Sequence, residues 1–434
     1  MVLRATWCIV MLSFASPQAW AWNLLGDIAT FQREALAARL DEVQARTVAA
    51  AAKAEQELRA IQANVSAGEE EKSRAAAAKE AQRDQALAQE KIVVLSKGVV
   101  LNPASVGDVT SVQQSVAESI LLVANPMLPT CGSGLSYRGD SAHVSWQATL
   151  DEFLKNFGSG LRAVGKLEIE HEYYTQGPGQ PIKKLRRSPI GTAFAISAEH
   201  VITAGHVASL FWDASKKAFL PGVVGVYFNN GGEHSVGCPS ANKDALTLKI
   251  QAVEAFRYDP APLPKDSPLD FAVLRLAPGQ AAPSATLDLS GQTDVPIGNN
   301  IVVIGYPDKD PRVEQGLWQT IMNVPVEGGM FPVTSIKRIS PGQVRPPCAN
   351  ASKLHVGHEA STINRSSGAP VIQVSTGKVV AIQVAGVGSC PDCQEYCNLA
   401  LKSSQVSLKS SVAEVLNFAA AQERLQAQGS ASAR

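Results

Sequence analysis

The apolar positions of this 434-residue chain change their period twice along its length. Residues 26–92 contain no proline, and Ile28, Phe31, Ala35, Leu36, Leu40, Val43, Thr47 and Val48 recur at three- and four-residue steps. That spacing keeps them on one face of a helix. The block is otherwise rich in Ala, Glu, Gln, Lys and Arg, which lose little on becoming helical. The stretch NVSAGEEE, 64–71, interrupts it. Ser66 can cap a second helix there, with Glu69 three positions on completing a capping box. The pattern predicts a helical hairpin, or a bent coiled coil, over 22–92. Its second arm has few large apolar residues, mainly Leu87. It therefore suits a solvated spacer, a partner-binding stalk or a removable propeptide.

Residues 93–165 read as a connector. VTSVQQSVAESILLVA, 109–124, and SWQATLDEFLKNFG, 145–158, have helical spacing, and NPMLPTCGSG between them is a turn-rich loop. From about residue 166 the pattern shortens. Runs rich in Val and Ile alternate with Gly, Pro, Asn and Asp: GTAFAIS, HVITAGHV, GVVGVYF, LTLKIQAVEAF, DFAVLRL, NIVVIGYP, LWQTIMNV, VTSIKRIS, APVIQV, KVVAIQVAG and YCNLALKS. So many short strands with turn signals between them predict an all-β region over 166–405, and their number suits a pair of small barrels. APGQAAPSATLD, 277–288, falls midway as a linker. VSLKSSVAEVLNFAAAQERLQ, 406–426, returns to helical spacing and opens a C-terminal helix and tail over 406–434.

Charge narrows the partners. Lys+Arg and Asp+Glu each number 39, for a net charge of +0, which argues against a nucleic-acid partner. The first residues look like a targeting segment: Arg4, then a short apolar core ended by Pro17, then the small-x-small site Ala19-Trp20-Ala21. A signal peptide over 1–21 would leave a mature chain starting at Trp22. An uncleaved anchor is the rival reading, but the apolar core is shorter than the ~20 residues a bilayer needs. No later stretch is long and apolar enough to span. Export implies an oxidising compartment, and Cys8 leaves with the signal. Cys131, Cys238, Cys348, Cys390, Cys393 and Cys397 remain as candidates for up to three disulfides. Their pairing stays open. A metal site is the rival reading of the Cys390, Cys393, Cys397 spacing.

Three local signals carry chemistry through their order. In GTAFAISAEHVITAGHV, 191–207, His206 follows a strand. In SPLDFAVLRL, 267–276, Asp270 opens a strand. In STINRSSGAPVIQV, 361–374, Ser367 precedes Gly, Ala, Pro and a strand. A serine hydroxyl is a poor nucleophile until a base takes its proton, and a histidine base needs an acid to fix its tautomer. Each signal lies at a strand end, where loops can assemble a site. Asp266 is a rival for Asp270 but sits before Pro268, farther from the strand.

This constellation resembles the trypsin/chymotrypsin-like serine peptidases, in particular bacterial exported members, over about residues 185–405. The histidine motif reads Thr203-Ala204-Gly205-His206, and the aspartate motif Asp270-Phe271-Ala272-Val273-Leu274. The serine motif reads Arg365-Ser366-Ser367-Gly368-Ala369-Pro370, followed by Val379-Val380-Ala381-Ile382 and Gly386. Val303-Ile304-Gly305-Tyr306-Pro307 resembles a second-barrel strand of the bacterial branch. The resemblance implies an all-β double six-stranded barrel of chymotrypsin-like fold, preceded by the helical extension and followed by the C-terminal helix. It implies Ser367 as nucleophile, His206 as general base and acid, and Asp270 as orienting acid. The backbone N–H groups of Arg365 and Ser367 would form the oxyanion hole.

Two positions depart from the family. Ala369 replaces a glycine that bacterial relatives also vary. Arg365 replaces the glycine that gives the oxyanion loop its freedom. That substitution leaves several expectations open: reduced activity, a hole formed only on substrate binding, a cation at the mouth of the site, or a turn that accommodates arginine without consequence. By the same resemblance Ser361, Thr362 and Gln383 line the primary substrate pocket. With no Asp at Ser361, a preference for Lys or Arg is not supported. Gln383 stands where glutamate-specific relatives have histidine. Small or uncharged side chains are the expected preference. His355 and His358 flank the loop as surface or core residues.

The sequence thus predicts an exported, periplasmic or secreted serine endopeptidase acting on polypeptides through an acyl-enzyme. It would need no cofactor and no metal, and its helical extension could engage a protein partner. The alternative is a weak or inactive peptidase-like binding module, motivated by Arg365.

Overall fold

The computed structural model describes residues 30–63, parts of 72–97, and 125–135, 141–176, 181–231, 245–258, 269–290, 295–308, 325–326, 329–330, 336–347, 353–385 and 398–407. The expectations for the signal segment, the 64–71 capping box, the 109–124 helix, LWQTIMNV, Asp266 and the helix past residue 407 lie outside the described residues.

Helix α1 (Thr30–Ala63) matches the first helical stripe. The described residues of 72–97 are also helical. Glu57 pairs with Lys79, Glu55 with Arg83, and Asp41 with Lys97. The partner number rises as the α1 number falls, so the two arms run antiparallel. Helix α2 (Ser141–Phe157) follows and sends Leu150 and Phe153 into the barrel core. Among the described residues no helix is long and apolar enough to cross a membrane.

NPMLPTCGSG is not wholly loop. Strand β1 (Leu128–Cys131) forms within it and later pairs with the second barrel. Its alternating apolar signal is only a few residues long, and its partner is remote in sequence. Cys131 is disulfide-bonded; Cys238, Cys348, Cys390, Cys393 and Cys397 lie outside the described residues.

The first barrel has six antiparallel strands: β2 (Val164–Gln176), β3 (Pro181–Ala195), β4 (His200–Thr203), β5 (Val223–Asn229), β6 (Thr247–Arg257) and β7 (Phe271–Leu276). They close in the order β7-β4-β3-β2-β5-β6. Alternation explains the inside: on β6, Leu248 and Ile250 point in while Thr247, Lys249 and Gln251 point out. Strand β2 and the first half of β3 are not among the strands the apolar runs predict. Glu168, Glu170 and Glu172 mask the alternation there. They sit in ion pairs with Lys166, Arg187 and Lys183, while Leu167 is in the core.

The second barrel is built from β8 (Asn300–Gly305), β9 (Arg338–Arg345), β10 (His355–His358), β11 (Pro370–Gln373), β12 (Val379–Ala385) and β13 (Asn398–Lys402). Their order is β8-β11-β12-β13-β10-β9, and a β8–β9 pairing closes the ring. Strand β1 adds outside β9, with Leu128 opposite Ile339. Strand β9 runs through Pro341 and Gly342, past the end of the VTSIKRIS run. Gly342 makes this possible, because a Cβ there would lie 2.4 Å from the Ala360 N. Residues 277–290 bridge the barrels. Leu287 N–H donates to Ala195 O at 2.9 Å, and Val379 N–H to Asp288 O at 2.8 Å. The described C-terminal helix is the short α4 (Ser403–Ser407), numbered after a one-turn helix α3 (Gly205–Ala208) in the first barrel.

His355 and His358 are core residues of β10, both buried. Burial pushes the His358 imidazole down from 6.5 to about 4. As pH falls, the unfolded chain therefore takes up this proton before the native state does. The contribution is intact above pH 6.5 and is lost progressively as pH falls toward 4. From this residue alone the unfolding free energy falls by about 2–3 kcal/mol between pH 7 and pH 4.5. Urea unfolding at the two pH values checks it: His358→Gln flattens the dependence by about that amount, and an equal slope in the variant contradicts it.

Candidate active site

Strand register brings His206 and Asp270 together. Thr203 on β4 lies opposite Ala272 on β7. In an antiparallel pair that puts the residue before β7, Asp270, level with the start of α3. The Asp270 carboxylate then accepts twice from one residue. Oδ1 takes the backbone N–H of His206 at 2.8 Å, and Oδ2 faces Nδ1 of its ring at 2.7 Å. A carboxylate on Nδ1 fixes the proton on that nitrogen and leaves Nε2 as a base. Gly205 makes room for the contact: a Cβ there would lie 2.2 Å from Arg257 O and 3.0 Å from Asp270 Oδ1. The His206 side chain keeps 30% exposure and Asp270 18%, so the pair is reachable from solvent. The ring of Tyr258 stands 6.1 Å from that of His206.

Ser367 reaches the same seam from the second barrel, and Thr192 on β3 draws it there. Thr192 N–H donates to Ser367 O at 2.9 Å. Its hydroxyl donates to Arg365 O at 2.9 Å and accepts the Tyr306 N–H at 3.1 Å. Its carbonyl accepts the Thr203 hydroxyl at 2.7 Å. One fully buried residue, through its backbone and its hydroxyl together, thus ties the histidine strand, the serine loop and the loop after β8. Gly368 fits because it has no Cβ: at φ +86, a Cβ would lie 2.1 Å from Thr192 O and 2.2 Å from Thr203 Oγ1. Among the described residues no hydrogen bond joins the Ser367 hydroxyl to the His206 ring.

The loop holding Ser367 is a turn. Ser366 N–H donates to Ile363 O at 2.9 Å, and Arg365 has φ +67. A left-handed residue at the third position of a hydrogen-bonded turn, after one without positive φ, marks type II geometry. Arginine therefore takes the backbone region that a glycine would use. The N–H groups of Ser366, Gly368 and Ala369 each find a carbonyl. Among the described residues those of Arg365 and Ser367 find none. Two unused donors flanking a serine are what a developing oxyanion requires. The Arg365 guanidinium does not stand open at the mouth of the site; it pairs with Asp308.

Ser361, Thr362 and Gln383 are buried beside this loop. Gln383 links them to the Ser367 loop through its backbone: Gly368 N–H donates to Gln383 O at 2.8 Å, and Gln383 N–H to Ala369 O at 2.9 Å. Its side-chain amide donates to Ala385 O at 2.8 Å and to the Thr362 hydroxyl at 2.9 Å. Since Ala385 O can only accept, the other amide atom is oxygen. It lies 2.6 Å from His358 Nε2, which must therefore carry a hydrogen. The polar wall is neutral, with no carboxylate and no cation in this network.

A second serine–histidine–carboxylate chain exists in the first barrel. Ser197 Oγ is 2.9 Å from His200 Nδ1, and His200 Nε2 is 3.0 Å from Glu254. Here the serine oxygen accepts the N–H groups of Glu199 and His200 at 3.2 and 3.1 Å, and the His200 side chain is 4% exposed. This serine caps a turn. Among the described residues no group of His, Cys, Asp and Glu side chains could hold a metal ion.

Sequence reasoning missed Thr192 and Asp308. Thr192 lies one residue after Gly191 in an ordinary strand, and nothing local marks it. Asp308 follows the Gly305-Tyr306-Pro307 signal, which marks the strand but not the residue's partner.

Comparison with known proteins matches residues 191–382 to the family described as trypsin-like peptidase domain. No curated protein matches the chain. Among solved structures it is similar to neuropsin, a serine protease expressed in the limbic system of mouse brain. That similarity has 12% identity and a TM-score of 0.37, and covers 59% of this chain and 95% of that one. The chain forms two six-stranded antiparallel barrels, and the match to the trypsin-like peptidase domain family reaches into both of them over residues 191–382.

Proposed function

We propose that the protein is an exported serine endopeptidase that hydrolyses polypeptides through an acyl-enzyme. The peptidase domain itself implies a polypeptide substrate. Ser367 attacks the scissile carbonyl while His206 takes its proton at Nε2. Asp270 holds the ring and stabilises its cation. The Arg365 and Ser367 N–H groups receive the oxyanion. His206 then protonates the leaving amine, and water repeats the sequence on the acyl-enzyme. The contact between the serine hydroxyl and the histidine tightens when substrate binds, as catalytic hydrogen bonds often do. The observation that carries this reading is the doubly accepting Asp270 on His206.

The alternative of an inactive binding module rested on Arg365. It is the weaker reading, because φ +67 is the conformation the loop needs and the Arg365 N–H is left unused. The neutral wall of Thr362 and Gln383 supports a preference for small or uncharged side chains. The first 21 residues support export, with the helical extension beyond them as a candidate partner-binding arm.

Two outcomes are expected. With a fluorogenic peptide library, Asp270→Asn lowers kcat about 10⁴-fold, and His206→Ala at least as much; rates within tenfold of the parent protein would sink the assignment. When the chain is expressed with its own N-terminus, sequencing of the exported product starts at Trp22; a product that retains Met1 contradicts export by cleavage.

A further inference from the structure

Arg365 occupies a left-handed conformation that its side chain disfavours. The alternative is a type I turn, in which the middle peptide flips and the third residue returns to negative φ. In that state the Asn364 carbonyl would point where the Arg365 N–H now points. An oxyanion would then meet an oxygen instead of a donor. Something must hold the less favoured form.

Asp308 touches this peptide twice. Its backbone N–H donates to Asn364 O at 2.9 Å. Its carboxylate pairs with the Arg365 guanidinium. In a trans peptide the C=O and the following N–H point in opposite directions. Fixing Asn364 O on Asp308 therefore turns the Arg365 N–H away from Asp308, where no described residue accepts it. Asp308 is itself fixed: two residues earlier, the Tyr306 N–H is on Thr192 Oγ1 at 3.1 Å, and its hydroxyl donates to Asn230 O at 2.9 Å. Thr192 also holds Arg365 O. Both jaws of the clamp thus hang from one threonine.

We propose that Asp308 is a positioning residue that latches the Asn364–Arg365 peptide in its flipped orientation and so keeps the Arg365 N–H available to an oxyanion. This rests on the serine peptidase reading. It also accounts for an arginine where the family has glycine: a glycine needs no latch, whereas an arginine brings the side chain that the latch grips.

The test uses steady-state kinetics on a peptide substrate, with the full chain, in the parent and Arg365→Gly backgrounds. Asp308→Ala keeps the backbone N–H and removes the carboxylate. In the parent it should lower kcat about tenfold or more, toward the ~10²–10³ loss of a whole donor, with KM changed less than about twofold. In the Arg365→Gly background, whatever that variant's own rate, adding Asp308→Ala should change kcat less than about twofold. An unchanged kcat in the parent background overturns the latch. So does an equal loss in both backgrounds, which would make Asp308 merely structural. Asp308→Asn, nearly the same in shape, repeats the comparison if the alanine variant fails to fold. If the parent protein is not labelled by a fluorophosphonate, the peptidase reading fails separately. A crystal structure of Asp308→Ala then decides the latch: a flipped Asn364–Arg365 peptide supports it, and an unmoved one overturns it.

Discussion

The site depends on one buried threonine. Thr192 sits on a first-barrel strand, yet its N–H and hydroxyl are spent on the second barrel, at Ser367 O and Arg365 O. Its carbonyl faces back to Thr203, three residues before His206. Two barrels that close separately have no intrinsic relative alignment. These bonds supply one at the point where the histidine and serine must meet. Buried polar groups are costly to leave unpaired, so each bond at Thr192 constrains the position of the others. Gly191, Gly205 and Gly368 belong to the same constraint. At each, a Cβ would lie 3.0 Å or closer to an atom of the opposing segments, so the strands approach only because side chains are missing.

The second constraint is electrostatic. Asp270 accepts from both the backbone and the ring of His206. The single carboxylate therefore fixes the position of the residue as well as the proton on its ring. The Arg365–Asp308 pair is a comparable device on the serine side, holding a backbone conformation. In both cases one aspartate holds both the backbone and a side chain of the segment it faces: Asp270 through its two carboxylate oxygens, Asp308 through its N–H on Asn364 O and its carboxylate on Arg365. Catalysis by preorganised dipoles needs such rigidity, because donors must already face the charge that develops.

Much of this was legible in the sequence, and the reason is locality. His206, Asp270 and Ser367 each sit in a short motif at a strand end, and their order along the chain is what singles them out; the structure joins the first two directly. Strands such as β7 and β8 announce themselves by apolar runs. What was hidden depends on partners far along the chain. Thr192 looks like any strand threonine, and its bond to Arg365 spans 173 positions. Strand β2 hid its alternation behind glutamates that are neutralised by Lys166, Arg187 and Lys183. Strand β10, His355–His358, is four residues long and became visible only through its pairings with β9 and β13. The arginine at position 365 read as a defect because its counterion, Asp308, lies on another strand's loop.

The central claim is that this seam makes Ser367 a nucleophile. The most direct measurement is mass spectrometry of the purified full chain after reaction with a fluorophosphonate. The account predicts one adduct per molecule, mapped to Ser367, and its loss in His206→Ala. A chain that stays unmodified, or an adduct mapped to another serine such as Ser197, would contradict it.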